Sequence, residues 1–214
     1  MFEKVLPKNS IRVIEKISPG IKNFYLAGGT GLALQLGHRK SADFDFFSSD
    51  PFNPDALLEH IRPAKTLLVQ EGTIHCELDQ VKLSFLFYRQ PLIYPSISWK
   101  GIKLSDWKDI TAEKFKSVSQ RGSKKDFYDL YAVLQMKLSI EEACGILKTR
   151  FASSGLNLYH VLKSLTFFEE TQGEPDPMLI INKSEWTWKK IKNYFVKNIK
   201  EFEKYLVLRA NSRK

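Results

Sequence analysis

The feature that most constrains this chain is the stretch over residues 26–49, LAGGTGLALQLGHRKSADFDFFSS, which sets a glycine turn and a pair of carboxylates close together. Residues 23–27 are mostly apolar and predict a short strand. Residues 32–36 predict one or two helical turns, with Gly37 as the C-terminal stop. Between them, Gly28, Gly29, Thr30 and Gly31 must turn the backbone sharply and aim N–H groups out of a helix N-terminus. Glycine supplies positive φ and lets a ligand approach the backbone. Thr30 can cap the helix or offer its hydroxyl to a phosphate. Such a turn is either plain strand-to-helix architecture or a phosphate cradle.

Residues 42–47 predict a second strand. Alternation then puts Asp43 and Asp45 on one face and Phe44 and Phe46 on the other. Two carboxylates at that spacing repel each other unless a proton or cation lies between them. Mg²⁺ suits the pair, because it takes one or two protein carboxylates and completes its shell with water and substrate phosphate. Alone, a DxD motif ahead of the turn residues Ser48, Ser49, Asp50 and Pro51 also reads as a solvated strand face.

The order of the parts is more specific than either part. A GG[ST] turn, a short helix and a strand patterned hDhDh (h is apolar) resemble the signature of the polymerase-β-like nucleotidyltransferases. More narrowly, AGGTGLALQLGHRKSADFDFF resembles the AbiEii/AbiGii family, the toxins of type IV toxin–antitoxin (abortive infection) systems. VKLSFLFY and RGSKKDFYDLY continue the likeness, which spans roughly residues 20–135.

That resemblance implies an α+β fold. A polymerase-β-like core with a small mixed sheet would occupy residues 1–104, and a C-terminal helical lobe over residues 105–214 would complete the active site. It implies an enzyme that uses Mg²⁺ (or Mn²⁺) to move a nucleoside monophosphate from an NTP onto an RNA hydroxyl, the 3′ end of tRNA, with release of pyrophosphate. It also implies a cognate antitoxin as partner. By the same resemblance Asp43 and Asp45 hold the metal, and Gly28, Gly29, Thr30, Lys114 and Lys125 bind the nucleotide. Asp126 orients it or assists proton transfer, and Asp129 steadies the helix or Lys125. The fold also serves enzymes that modify small molecules or protein hydroxyls. A nucleotide- or RNA-binding module without turnover is the non-enzymatic alternative.

One position departs from the wider superfamily, which often carries a third acid on a neighbouring strand. Here that strand reads VKLSFLF, with Ser84 where the acid would stand. Serine is a poor metal ligand and no base at neutral pH. This weakens the case for two-metal catalysis and moves the base role toward Asp126, or toward Glu77 if its strand lies alongside.

Other residues have plainer readings. In KKDFYDLY, Phe127, Leu130, Tyr131 and Leu134 form a helical stripe, with Lys125 and Asp129 an i,i+4 pair nearly opposite. Ser123 is a good N-cap for that helix. Lys114 is either a surface lysine or a phosphate ligand, and Arg121 is a similar case. His38, Arg39 and Lys40 read as a solvated loop, and His75 and His160 as structural. Strands are predicted over 65–70, 73–79 and 81–88, with a short edge strand over 102–104. Helices are predicted over 10–17, 54–61, 107–119, 124–137, 140–150, 156–169 and 186–208. The last has a packing face of Trp188, Ile191, Phe195, Ile199, Phe202 and Leu206, with Lys189, Lys190, Lys197, Lys200 and Lys204 on its other side.

Composition narrows the setting. The 214 residues carry a formal net charge of +9, which attracts polyanions such as RNA or nucleotides. No run of about 18 apolar residues predicts a membrane span. The segment MFEKVLPKNS lacks the apolar core of a signal peptide. Cys76 and Cys144 stand far apart with no metal-ligand spacing, which suits a reducing, cytoplasmic setting.

Overall fold

The computed structural model describes residues 1–208 apart from Pro63 and Asn182. The chain divides into two compact units, Met1–Trp107 and Lys108–Lys214.

In the first unit, α1 (Ser10–Ile17) buries Val13, Ile14 and Ile17 and ends where Pro19 and Gly20 cannot continue it. β1 (Tyr25–Leu26), α2 (Gly28–Leu36) and β2 (Phe44–Ser48) follow. α3 (Pro54–His60) starts at Asn53, whose side chain accepts from the N–H groups of Asp55 and Ala56. β3 (Lys65–Gln70), β4 (Thr73–Leu78), β5 (Val81–Phe87), β6 (Ile97–Trp99) and β7 (Ile102–Leu104) complete a seven-stranded mixed sheet in the order β3-β4-β5-β2-β1-β7-β6. The β2–β5 and β1–β7 pairs are parallel and the rest antiparallel. Fully buried Phe44, Phe46, Ile74, Cys76 and Phe85 mark the core face, where Phe46 stacks on Phe85 at 5.1 Å. The alternation read from DFDFF is therefore the one that sorts the sheet into a core side and a polar side.

Three local expectations change. α2 begins at Gly28, four residues before the predicted start, because the glycine turn is itself the first helical turn and Gly31 N–H already bonds the carbonyl of Ala27. Residues 102–104 are not an edge strand. They lie between β1 and β6, and β6, a three-residue strand just beyond two prolines, was too short to show a period. His38 and Arg39 are buried, at 0% and 3% exposure, rather than solvated.

The second unit is helical. It holds α4 (Trp107–Gln120) beyond its first residue, α5 (Lys124–Met136), α6 (Ile140–Arg150), α7 (Leu158–Ser164) and α8 (Trp188–Leu206). α6 opens with a full capping box between Ser139 and Glu142. The predicted helix over 156–169 is cut to seven residues, followed by a separate 3₁₀ turn at Glu169–Thr171. Phe127, Phe195 and Phe202 form an aromatic core, with centroids 5.5 and 6.0 Å apart along the chain of contacts. Arg150 ties α6 to α4 through Asp109 at 2.6 Å and Glu113 at 2.7 Å.

Candidate active site

The glycine turn and the carboxylates converge in the first unit. β1 pairs with β2 so that Leu26 faces Phe46, and Ala27 N–H bonds the carbonyl of Asp45. This register brings the start of α2 against Asp45. Gly28 has φ +62, and a Cβ built there would sit 2.6 Å from Asp45 Oδ2. Glycine is needed twice over, for its left-handed backbone and for the room it leaves the carboxylate. Gly28 and Gly29 remain half-buried, and the first N–H groups of α2 have no intrahelical acceptor.

Asp43 is exposed, just ahead of β2, and Asp45 is half-buried within it. Thr30 is neither a cap nor a solvent-facing hydroxyl. At 1% exposure it donates to the backbone carbonyl of Asp43 and pairs with Ser41 Oγ at 2.7 Å. Thr30 therefore fixes the segment that delivers Asp43. Its hydroxyl is turned inward because the register places it over the chain entering β2.

The polar side of the sheet continues beyond Asp45. In register, Asp45 stands beside Ser84 on β5, and Ser84 beside His75 on β4. Ser84 thus does occupy the strand position next to the DxD carboxylate. His75 Nδ1 lies 3.0 Å from Ser84 Oγ, so His75 has the partner that sequence spacing did not show. Glu77 pairs with Lys82, and β4 is separated from β2 by β5, so Glu77 is not alongside Asp45.

The KKDFYDLY residues belong to the second unit. Lys125 is exposed and has no ion pair or hydrogen bond among the described residues. Lys114 is neither a surface lysine nor open to a phosphate. Its ammonium lies 2.7 Å from both Asp126 Oδ1 and Asp129 Oδ2, with side-chain exposures of 7%, 1% and 0%. Asp129 therefore serves Lys114, and the expected Lys125–Asp129 pair gives way to an α4–α5 cluster. Arg121 Nε at 3.3 Å and Ser123 Oγ at 2.9 Å hold the other oxygen of Asp126. The Ser123 hydroxyl binds this carboxylate instead of capping the backbone. Burial alone would raise the Asp126 pKa. The charges of Lys114 and Arg121, with the Lys114 hydrogen bond, outweigh it and hold the carboxyl below its ordinary range. A buried, three-fold bonded carboxylate of lowered pKa is a weak proton acceptor, so the geometry does not favour Asp126 as the base. Cys76 and Cys144 are pushed up to about 11 and about 12 by burial, which keeps both thiols protonated.

The two carboxylates fit a hard, oxygen-binding cation. Among the described residues no cluster of three or more His, Cys, Asp or Glu side chains forms a metal cage. A two-carboxylate set beside free backbone N–H groups matches Mg²⁺, which draws its other ligands from water and a substrate.

Residues 13–98 match the family model described as nucleotidyl transferase AbiEii toxin, type IV TA system. Protein aq_aa25 of Aquifex aeolicus (strain VF5) is 33% identical over 207 residues, covering 92% of this chain and 97% of that one. The nucleotidyltransferase toxin MenT4 of Mycobacterium tuberculosis H37Rv superposes with a TM-score of 0.58 at 16% identity, over 90% of this chain and 82% of that one. JHP933 of Helicobacter pylori superposes at 0.50 with 14% identity, over 92% of each chain. The sheet, the glycine turn and the family match together define a nucleotidyltransferase. The chain belongs to the AbiEii nucleotidyltransferase toxin family.

Gly28→Ala tests the close approach. The left-handed backbone costs about 1–2 kcal/mol with a Cβ, and the collision displaces Asp45. Thermal melts should show the stability loss, and transfer assays a larger proportional loss of activity.

Proposed function

We propose that this protein transfers a nucleoside monophosphate from an NTP to a hydroxyl of RNA, at the 3′ end of tRNA, and that it acts as a growth-arresting toxin relieved by a cognate antitoxin. The observation that carries the reading is the approach of the Gly28 backbone to Asp45, which sets the first N–H groups of α2 beside one of the paired carboxylates. Asp43 and Asp45 would hold Mg²⁺, which when bound supplies Lewis-acid charge to the phosphates. The backbone N–H groups at Gly28, Gly29 and Thr30 bind phosphate oxygens, and Thr30 keeps Asp43 in place. Lys125, exposed and free of partners among the described residues, is the lysine of the KKDFYDLY motif that can meet a phosphate. The protein's contribution is positioning and charge stabilisation.

RNA as acceptor is supported by charge. Besides the net +9, α8 presents exposed Lys189, Lys197, Lys200 and Lys204 on the side away from buried Ile191, Phe195 and Phe202, whereas Lys190 is paired with Glu185 at 2.7 Å. Replacing those four lysines by glutamine should weaken tRNA binding and flatten the slope of log affinity against log salt by roughly 3, read by filter binding over a salt series.

The direct test incubates the protein with each α-³²P NTP, Mg²⁺ and purified tRNA. Label on tRNA establishes reaction and donor. Label found only on a small-molecule or protein acceptor replaces the RNA reading, and NTP binding with no product on any acceptor replaces the enzymatic one.

No helix among the described residues is long and apolar enough to cross a membrane.

A further inference from the structure

The polar row Asp45–Ser84–His75 has one titratable group that the roles above do not use. We infer that Ser84 and His75 form a proton-accepting pair for the acceptor hydroxyl, standing where a third carboxylate would otherwise be. This rests on the nucleotidyl-transfer reading above and deepens it.

Four observations lead there. The β2–β5 register sets Ser84 directly beside Asp45, so both side chains leave the sheet on the same face. Ser84 Oγ is 3.0 Å from His75 Nδ1, and both residues are half-buried, so solvent and a substrate can reach the pair while its geometry is held by the strand pairing. Asp126 is sequestered by Lys114, Arg121 and Ser123. Glu77 is matched with Lys82, two strands from Asp45. By strand register, the charged residues nearest His75 on this face among the described residues are Glu77 on its own strand, Lys82 on β5, Lys65 on β3 and Asp45 on β2. Leu68, which faces His75 from β3, brings no polar group.

A serine hydroxyl alone cannot accept a proton at neutral pH. Bonded to an imidazole nitrogen, it can receive one proton while giving up its own. In the step, the acceptor O–H passes its proton to Ser84 Oγ as the Ser84 proton moves to His75 Nδ1. The acceptor oxygen forms the new bond to the α-phosphorus. The bond from that phosphorus to the bridging oxygen breaks, and its electron pair leaves with pyrophosphate. The imidazolium then returns its proton to solvent. Ser84 touches the acceptor, and His75 acts through it.

The substitution that isolates the role is His75→Asn. The asparagine carbonyl can still accept from Ser84 Oγ, but it takes up no proton. It is assayed for label transfer beside wild type and Asp45→Ala, across a pH series. We expect kcat to fall about a hundredfold or more with KM for NTP nearly unchanged. The acid limb of the wild-type profile should be absent from what remains. His75→Ala combined with Ser84→Asp should regain activity and carry an acid limb at lower pH, as a carboxylate dictates. Independently of turnover, ¹⁵N-resolved imidazole spectra should show His75 as the Nε2–H tautomer, with Nδ1 shifting in Ser84→Ala. Wild-type kcat and pH profile in His75→Asn, with Asp45→Ala inactive, would overturn this inference and leave the transferase reading standing. Absence of transfer by wild type to any acceptor would overturn both.

Discussion

Asp45→Asn abolishes nucleotidyl transfer and leaves the melting temperature nearly unchanged. The side chain keeps its size, and its neighbours Phe44 and Phe46 stay packed in the core. What disappears is one of two negative charges on the polar side of the strand. In the free protein that charge opposes Asp43, which offsets part of what the fold loses with it. On the proposed mechanism it would be half of the protein's share of the cation's ligands, because no third His, Cys, Asp or Glu joins them among the described residues. Losing that ligand should reduce transfer by a thousandfold or more, about 4 kcal/mol of transition-state stabilisation. Transfer assays and thermal melts run on the same preparation check it. A parallel fall in both would mean that Asp45 is a folding residue, and full activity would remove it from the mechanism.

Lys114→Met produces the opposite signature, a large loss of stability. Its ammonium sits between two carboxylates that are almost wholly removed from water. Without it, Asp126 retains Arg121 and Ser123, but Asp129 loses the ammonium 2.7 Å from its Oδ2, and the two acids repel. Breaking a buried ion pair from one side costs about 3–5 kcal/mol, enough to unfold a large fraction of a marginal helical unit. The pH dependence separates this from simple loss of packing. In wild type the Asp126 pKa lies below its unfolded value. Its stabilisation is therefore complete above the ordinary carboxylate range and is lost as pH falls toward the lower folded value. In Lys114→Met the stranded carboxylates favour protonation, so the deficit against wild type shrinks on acidification. Adding Asp129→Asn should recover part of the loss near neutral pH. Denaturation midpoints of the single and double variants over a pH series measure all of these effects.

DFDFF could be read correctly because a strand's period is local. Once the segment is extended, the acids and the phenylalanines must part, and the apolar side must find the core. The bounds of β3 and α6 were likewise fixed by nearby residues, the Ser139–Glu142 capping box among them. The glycine turn was legible as a turn, although α2 starts inside it.

Other assignments depended on partners far along the chain. A helical wheel put Asp129 with Lys125, because four residues separate them on one helix. Folding put Asp129 with Lys114, because α4 packs on that side and a buried carboxylate needs a cation. Thr30 looked free to meet phosphate until the β1–β2 register placed it over Asp43. His75 looked solitary because its partner stands on the next strand, and only the β4–β5 pairing brings Ser84 within 3.0 Å. The sequence by itself determined most of the elements, the core side of the sheet and the pair of acids on its polar side, since these follow from periodicity and residue chemistry within a few positions. The tertiary structure decided which charges are buried and paired and which side chains stand beside Asp45. Strand register and helix packing are long-range choices, and no local pattern encodes them.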